Sequence, residues 1–190
     1  VSNQIVGLGD WMEQLIAEST GKIGRGVLPI VLDSDSPELK TLADDFLTVG
    51  IVDKVSESNF DVAVSGPLGS QLLLWEVSTV VAAKLLGVSP FDQPDVESAK
   101  VASRAFLENK SANQSSLFTE SGIEVFARNL DLGPSSTLRE ALRLFLASAD
   151  KDSYFAIHAY LDRSRDFAYE KLREEIADIS ARPASFGWGP

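Results

Sequence analysis

Short apolar runs alternate with segments of helical periodicity along most of this chain, and that alternation limits its fold more than any other feature. Apolar runs bounded by turn residues predict strands, whereas apolar residues three and four apart predict helices. Because strands that alternate with helices form parallel sheets covered on both faces, the pattern predicts a doubly wound α/β fold. We expect residues 1–190 to form a single domain, since a chain of 190 residues can bury such a core.

The individual elements follow from the same two periodicities. Strands are predicted at residues 3–8, 27–32, 61–64, 123–127 and 154–161. Helices are predicted at residues 10–17, 36–47, 70–86, 92–109, 137–149 and 165–182, with a polar loop at 111–116. The run V-L-P-I-V-L at 27–32 is apolar throughout, which is typical of a buried parallel strand. Gly87 is predicted to end one helix and Asp92 to begin the next.

Composition excludes several classes of function. The formal net charge of −11 argues against nucleic acid and against an anionic membrane surface as partners. Without cysteine the chain has neither disulfides nor thiolate metal sites, which fits a reducing compartment. The longest apolar stretch, residues 77–86, is too short to span a bilayer, and no signal-peptide pattern is present at the start. The chain begins V-S-N and ends G-W-G-P, so we expect a domain of a longer protein.

A carboxylate and an amide are placed together near the end of the first predicted helix. Glu18 precedes a Ser-Thr-Gly break, and Gln14 lies one turn earlier on the same face. Ligand sites in α/β proteins collect where such elements end, and a desolvated carboxylate there could act as a base. The alternative is that Glu18 is simply a solvated surface carboxylate.

A lysine and a second amide share one face of a later helix. Lys100 lies about two turns after Asp92, with Gln93 and Val96 at positions i−7 and i−4. A helical lysine is most often a surface group that improves solubility, and that alternative applies to Lys100.

These two segments together resemble the two active-site motifs in the C-terminal half of the phosphoglucose isomerase family. E-S-T-G-K at residues 18–22 is similar to the family's E-S-N-G-K, and F-D-Q-P-D-V-E-S-A-K at 91–100 is similar to its F-D-Q-x-G-V-E-x-x-K signature. Thr20 and Asp95 depart from these motifs, and we expect neither to touch the reactive groups. Both departures suit a divergent bacterial branch that includes forms fused to a transaldolase. The resemblance covers residues 7–100 and is weaker at 154–161 and 186–190.

The resemblance implies a sugar-isomerase (SIS-type, flavodoxin-like) fold and the interconversion of glucose 6-phosphate and fructose 6-phosphate through a cis-enediolate. It implies that Glu18 is the catalytic base and that Lys100 acts during ring opening. Gln14 and Gln93 are the implied substrate contacts, and Glu97 is expected to pair with or orient a neighbour. The resemblance implies no metal or other cofactor, and a cytoplasmic location.

Other groups of this family's active site have no counterpart in these residues. The phosphate-binding Ser/Thr loop and the enediol-stabilising Arg belong to a preceding SIS domain, and the ring-opening His follows a G-x-G-P segment. We therefore expect the preceding SIS domain of the same chain as a partner, besides the sugar phosphate, and the family's tendency to dimerise implies a homodimer. The isolated chain is expected to fold but to be inactive.

Two further features have both functional and structural interpretations. His158, the only histidine, lies in the apolar run at 154–161, so we expect a buried, hydrogen-bonded structural imidazole in a central strand. The segment S-G-P-L-G-S at 65–70 follows a predicted strand and opens a helix. That geometry can cradle a phosphate, but it also suits a plain tight turn.

Two alternative functions stay open at this point. The first is the isomerase domain of a bifunctional transaldolase/glucose-6-phosphate isomerase, which only sequence upstream could reveal. The second is a non-catalytic SIS domain that binds sugar phosphates as a sensor. Such sensors lack the paired motifs, which favours the enzyme.

Overall fold

The fold was analysed in a computed structural model that describes residues 5–40, 46–57, 59–108 and 115–189. The chain divides into two compact units, Val1–Lys100 and Val101–Pro190, which are described separately below. Helices and strands occur in both units, so the α/β class is confirmed. In the described ranges the strands form two-stranded pairs, and the continuous doubly wound parallel sheet predicted from the sequence is not present there.

The first unit is built on two packed helices and one short parallel strand pair. Its elements are α1 (Leu8–Thr20), β1 (Val49–Ile51), β2 (Val62–Val64), α2 (Leu68–Leu86) and the start of α3 (Pro94–Glu108). α1 packs against α2, and Leu8, Gln71, Thr79 and Ala83 are buried. β1 pairs with β2 in parallel, with Val49 opposite Val62. The predicted strand at 61–64 and the predicted helix at 70–86 are therefore both found.

Both ends of α2 follow from local sequence. The helix begins after Pro67, which has an extended backbone. It ends at Gly87, which adopts a φ of 72° that favours glycine. The N–H groups of Gly87 and Val88 donate to the carbonyls of Lys84 and Ala83, so the last turn of the helix is closed by backbone hydrogen bonds.

The predicted strand at residues 27–32 is wrong. This segment pairs with no strand among the described residues, and Val27 and Leu28 are 44% and 43% exposed. The Val27 N–H donates instead to the hydroxyl of Thr20, and Val31 lies against Gly9, so the segment contacts both ends of α1. An apolar run indicates burial but does not supply a neighbouring strand, and Pro29 removes one of the donors that a ladder needs. The edge strand predicted at 3–8 is also wrong at its described end, because α1 begins at Leu8.

The second unit contains a hairpin followed by a β–α–β arrangement. Its elements are β3 (Phe118–Glu120), β4 (Ile123–Val125), α4 (Leu138–Ala147), β5 (Phe155–Ala159), α5 (Arg163–Asp166), α6 (Leu172–Ser180) and β6 (Ala184–Trp188). β3 and β4 are antiparallel, and β5 and β6 are parallel. The core consists of Phe155, Ala177 and Ala184, with Leu146, Ala149 and Ile176 packed against it.

Two predictions in the second unit need correction. His158 is exposed rather than buried, because β5 pairs only with β6 in the described part of the chain and its residues alternate between the two faces. The helix predicted at 165–182 is interrupted by a 3-10 turn at Phe167–Lys171.

The first unit shows a 3-10 turn, Pro37–Lys40, at the start of the helix predicted at 36–47. Residues 41–45 of that helix and 111–114 of the predicted loop lie outside the described residues. None of the described helices is both long and apolar enough to cross a membrane.

Candidate functional site

The first motif lies where α1 ends, and its side chains fix the path of the chain beyond the helix. The Thr20 hydroxyl donates to the Ile16 carbonyl at 2.7 Å and accepts from the Val27 N–H at 3.0 Å. The buried Thr20 therefore joins the last turn of α1 to the segment that follows it. Glu18 lies in this last turn and is exposed.

Gly21 and Gly26 allow the backbone at residue 26 to pack directly against the backbone at the end of α1. A Cβ at Gly26 would lie 2.9 Å from the Cα of Gly21, and a Cβ at Gly21 would lie 2.7 Å from the Ala17 carbonyl oxygen. Real Cβ atoms do not come this close to backbone atoms, so the tight loop after α1 requires glycine at both positions.

Lys22 is the buried cation of the site. Only 6% of it is exposed, and its Nζ donates to the Ser19 carbonyl oxygen at 2.6 Å. This carbonyl belongs to the last turn of α1, where the backbone dipoles favour a positive charge. Lys22 is part of the motif at 18–22, but neither its position in that motif nor the surrounding pattern predicts its burial.

The two motifs meet in one small open pocket of about 110 Å³ within the first unit. Glu18, Gly21 and Lys22 line one wall. The other wall consists of Gln93 and the first three residues of α3, Pro94–Val96. The structure thus brings the predicted base Glu18 and the predicted substrate contact Gln93 to the same place.

The pocket lining does not include the other two predicted site residues. Gln14 is exposed one turn before Glu18 on α1. Lys100 is one turn beyond Val96 on α3, and its Nζ lies 2.8 Å from the Glu97 carboxylate. The pairing expected of Glu97 is therefore present. The roles of Gln14 and Lys100 stay predictions.

Asp95, which was expected to lie apart from the reactive groups, lines the same pocket as Glu18. It occupies the first turn of α3, where backbone N–H groups lack partners within the helix and a negative charge is favoured. Two acidic residues and one lysine therefore line this small pocket. A ligand here would meet both signs of charge.

Glu13 is a second carboxyl on α1 with unusual surroundings. Burial raises the pKa of Glu13 above its usual value, and the nearby Asp10 raises the pKa further. Glu13 is half-buried and does not line the pocket. Its shift depends on packing, which no sequence pattern around it indicates.

The remaining candidates add little to this site. Residues 65–67 join β2 to α2, which begins at Leu68, and the Ser65 hydroxyl donates to the Asp53 carbonyl at 2.9 Å. Within the described ranges, no group of three or more His, Cys, Asp or Glu side chains is placed to hold a metal ion.

Comparison of this chain with models of protein families, with curated proteins and with solved structures found no match.

Proposed function

We propose that this chain is one domain of a glucose-6-phosphate isomerase, and that Glu18 transfers the proton between the two sugar carbons. One observation carries the proposal. The two segments that resemble the isomerase motifs are far apart in sequence, yet Glu18 and Lys22 from one and Gln93 from the other line a single pocket. A carboxylate beside a cation and an amide is a suitable set for a proton transfer next to a carbonyl.

In the proposed reaction Glu18 removes the proton from C2 of the open-chain aldose. The electrons of the C2–H bond form the C1=C2 double bond, and the carbonyl oxygen at C1 takes the negative charge. That oxygen is protonated, the hydroxyl at C2 loses its proton, and protonated Glu18 delivers its proton to C1 to give the ketose. Lys22 and the N-terminal end of α3 supply positive potential beside the developing charge.

Lys100 is proposed to act earlier, during ring opening. Its ion pair with Glu97 is exposed, and exposed pairs contribute only about 0–1 kcal/mol. The Lys100 ammonium should therefore lose little free energy when it leaves the Glu97 carboxylate to contact a sugar oxygen. Gln14, one turn before Glu18, is proposed to contact the substrate farther from the reacting carbons.

The size of the pocket supports a site completed by other residues. Pockets that enclose a small molecule usually measure about 300–1,000 Å³, whereas this one measures about 110 Å³. The outer face of α2 is also apolar, with Leu73, Val77 and Leu85 63%, 53% and 82% exposed. Both observations support the proposal that a preceding SIS domain packs against this one.

The same proposal includes a doubly wound SIS-type sheet, a homodimer, a reaction without cofactor and a cytoplasmic location. The bifunctional transaldolase/isomerase and the non-catalytic sugar-phosphate sensor remain the alternatives, and turnover measurements separate all three.

The decisive experiment compares Glu18→Gln with Glu13→Gln in the full-length protein. Both substitutions remove a carboxylate from α1, but only Glu18 lines the pocket. We expect Glu18→Gln to lower kcat by roughly 10²–10⁴-fold with little change in KM, because the amide cannot accept the proton. Glu13→Gln should keep wild-type turnover. The readouts are isomerisation and the loss of deuterium from C2-deuterated glucose 6-phosphate.

Three results would redirect the proposal. Deuterium loss that continues at the wild-type rate in Glu18→Gln would assign the base to another residue. Binding of sugar phosphate without turnover in the wild-type protein would favour the sensor. Transaldolase turnover by the same polypeptide would identify the bifunctional form.

A further inference from the structure

We propose that Arg25 is a positioning residue that holds the two walls of the pocket at a fixed separation. The inference rests on the proposed isomerase function. Nη1 of Arg25 donates to the carbonyl oxygen of Leu86 at 2.7 Å, across 61 positions of sequence. Leu86 is the last residue of α2, and only six residues separate it from Gln93.

The backbone of Arg25 is bonded to the opposite wall. Its N–H donates to the Lys22 carbonyl at 3.0 Å, and the Lys22 N–H donates to the Arg25 carbonyl at 2.9 Å. Lys22 in turn holds the end of α1 through Ser19. A continuous set of hydrogen bonds therefore runs from the Glu18 wall, through Lys22 and Arg25, to the end of α2.

The position of the guanidinium is favourable at the end of α2. The last carbonyls of a helix lack partners within the helix, and the helix dipole favours a cation there. Gly87 makes room for it, since a Cβ at that position would lie 3.3 Å from Nη1 of Arg25. Lys22 and Arg25 thus place one cation at the C-terminal end of each of the two packed helices.

This arrangement has a consequence for the chemical step. A displacement of about 1 Å between a base and its substrate can cost roughly 10²-fold in rate. The hydrogen bond of Arg25 is exposed, so its loss should change global stability little while loosening the two walls. Loss of the Arg25 hydrogen bond should therefore lower kcat clearly while it changes the melting temperature little.

The test uses Arg25→Ala, Arg25→Lys and the control Arg143→Ala in the full-length protein. Arg143 is an exposed arginine of α4 and is not one of the residues that line the pocket. We expect Arg25→Ala to lower kcat about tenfold with KM changed less than threefold, and to lower Tm by no more than about 4 °C. Arg25→Lys should restore most of kcat because it keeps a cationic donor. Amide hydrogen exchange should accelerate at residues 19–26 and 84–93 only in Arg25→Ala.

The outcomes separate this inference from the proposed function. Wild-type turnover that depends on Glu18 but is unchanged by Arg25→Ala would overturn the role of Arg25 alone. An equal loss of kcat in Arg25→Ala and Arg143→Ala, or no rescue by Arg25→Lys, would also overturn it. Absence of wild-type turnover would overturn both proposals.

Discussion

Glu13 and Glu18 show how differently two carboxyl groups on one helix can behave. Glu18 lines the pocket in the last turn of α1, whereas Glu13 is half-buried and carries a raised pKa caused by burial and by Asp10. The difference depends on what packs around each side chain. The surroundings of Glu13 lead to a prediction about how the stability of the protein depends on pH.

Glu13→Gln should stabilise the protein at neutral pH. Because the folded-state pKa of Glu13 lies above the usual 4.5, the folded protein favours its protonated form. Stability is therefore lost as the pH rises from 4.5 through the raised pKa. The amide removes this penalty, which is under about 1 kcal/mol because Glu13 is only half-buried and solvent still screens its charge. Urea denaturation of both proteins at several pH values should show a gain above that window that disappears below it. An equal gain at all pH values would contradict the assignment.

Lys100→Ala should lower binding and turnover together in the full-length protein. The lost ammonium would contact the sugar both in the ground state and in the transition state, so we expect kcat/KM to fall about 10–100-fold. The ring-closed substrate should be affected more than an open-chain analogue. Glu97→Gln is the matched control, because it breaks the same ion pair but leaves the lysine. An equal loss in the two variants would show that the pair, not the lysine, matters.

At the scale of elements, local signals set the ends of several helices, whereas they do not determine how the strands pair. Thr137 caps α4 by accepting a hydrogen bond from the Glu140 N–H at 3.3 Å, and Gly87 ends α2. These signals lie within a few residues of the helix ends, so the bounds of α2, α3 and α4 were close to those predicted from the sequence. Strand pairing instead joins distant residues. The apolar run at 27–32 shows that such a run does not indicate its partner.

The lining of the candidate site was also predictable only in part, because it too depends on contacts between residues far apart in sequence. The resemblance to the isomerase motifs singled out Glu18 and Gln93, and both residues line the pocket. Arg25 could not be found in this way, because its partner is a backbone carbonyl 61 residues away. The burial of Lys22 and the position of Asp95 likewise depend on how the loop after α1 packs.

The tight loop after α1 gives a prediction at this scale. Gly26→Ala should lower the free energy of unfolding by about 1–3 kcal/mol, because its Cβ would press on the backbone of Gly21. Gly69→Ala is the control. Apart from the nearby backbone of α2 itself, no atom of the described residues lies within 4 Å of a Cβ at Gly69, so alanine there should stabilise by about 0.5–1 kcal/mol. Denaturant unfolding measures both, and similar effects of the two substitutions would rule out the close approach.

At the scale of the whole molecule, the chain combines two compact units with a net charge of −11. Such an excess of negative charge opposes the approach of an anionic substrate, so local cations such as Lys22 matter for binding. In the proposed function, the further cationic groups for the phosphate come from the preceding SIS domain. The isolated chain is then one side of a cleft.

The isolated 190 residues should therefore fold but not turn over. We expect a cooperative thermal transition together with no detectable interconversion of glucose 6-phosphate and fructose 6-phosphate. The full-length protein, assayed in parallel, is the positive control. Measurable turnover by the isolated chain would show that the phosphate-binding and ring-opening groups lie within these residues.

The pairing of β5 with β6 places His158 directly opposite Gly187. A Cβ at Gly187 would lie 3.4 Å from the imidazole Nδ1, so the ring sits close beside the last strand. Since the chain has one histidine, every imidazole resonance in a nuclear magnetic resonance spectrum of this chain comes from that location. The chain therefore carries its own spectroscopic reporter of whether its final strand is docked, without any added label.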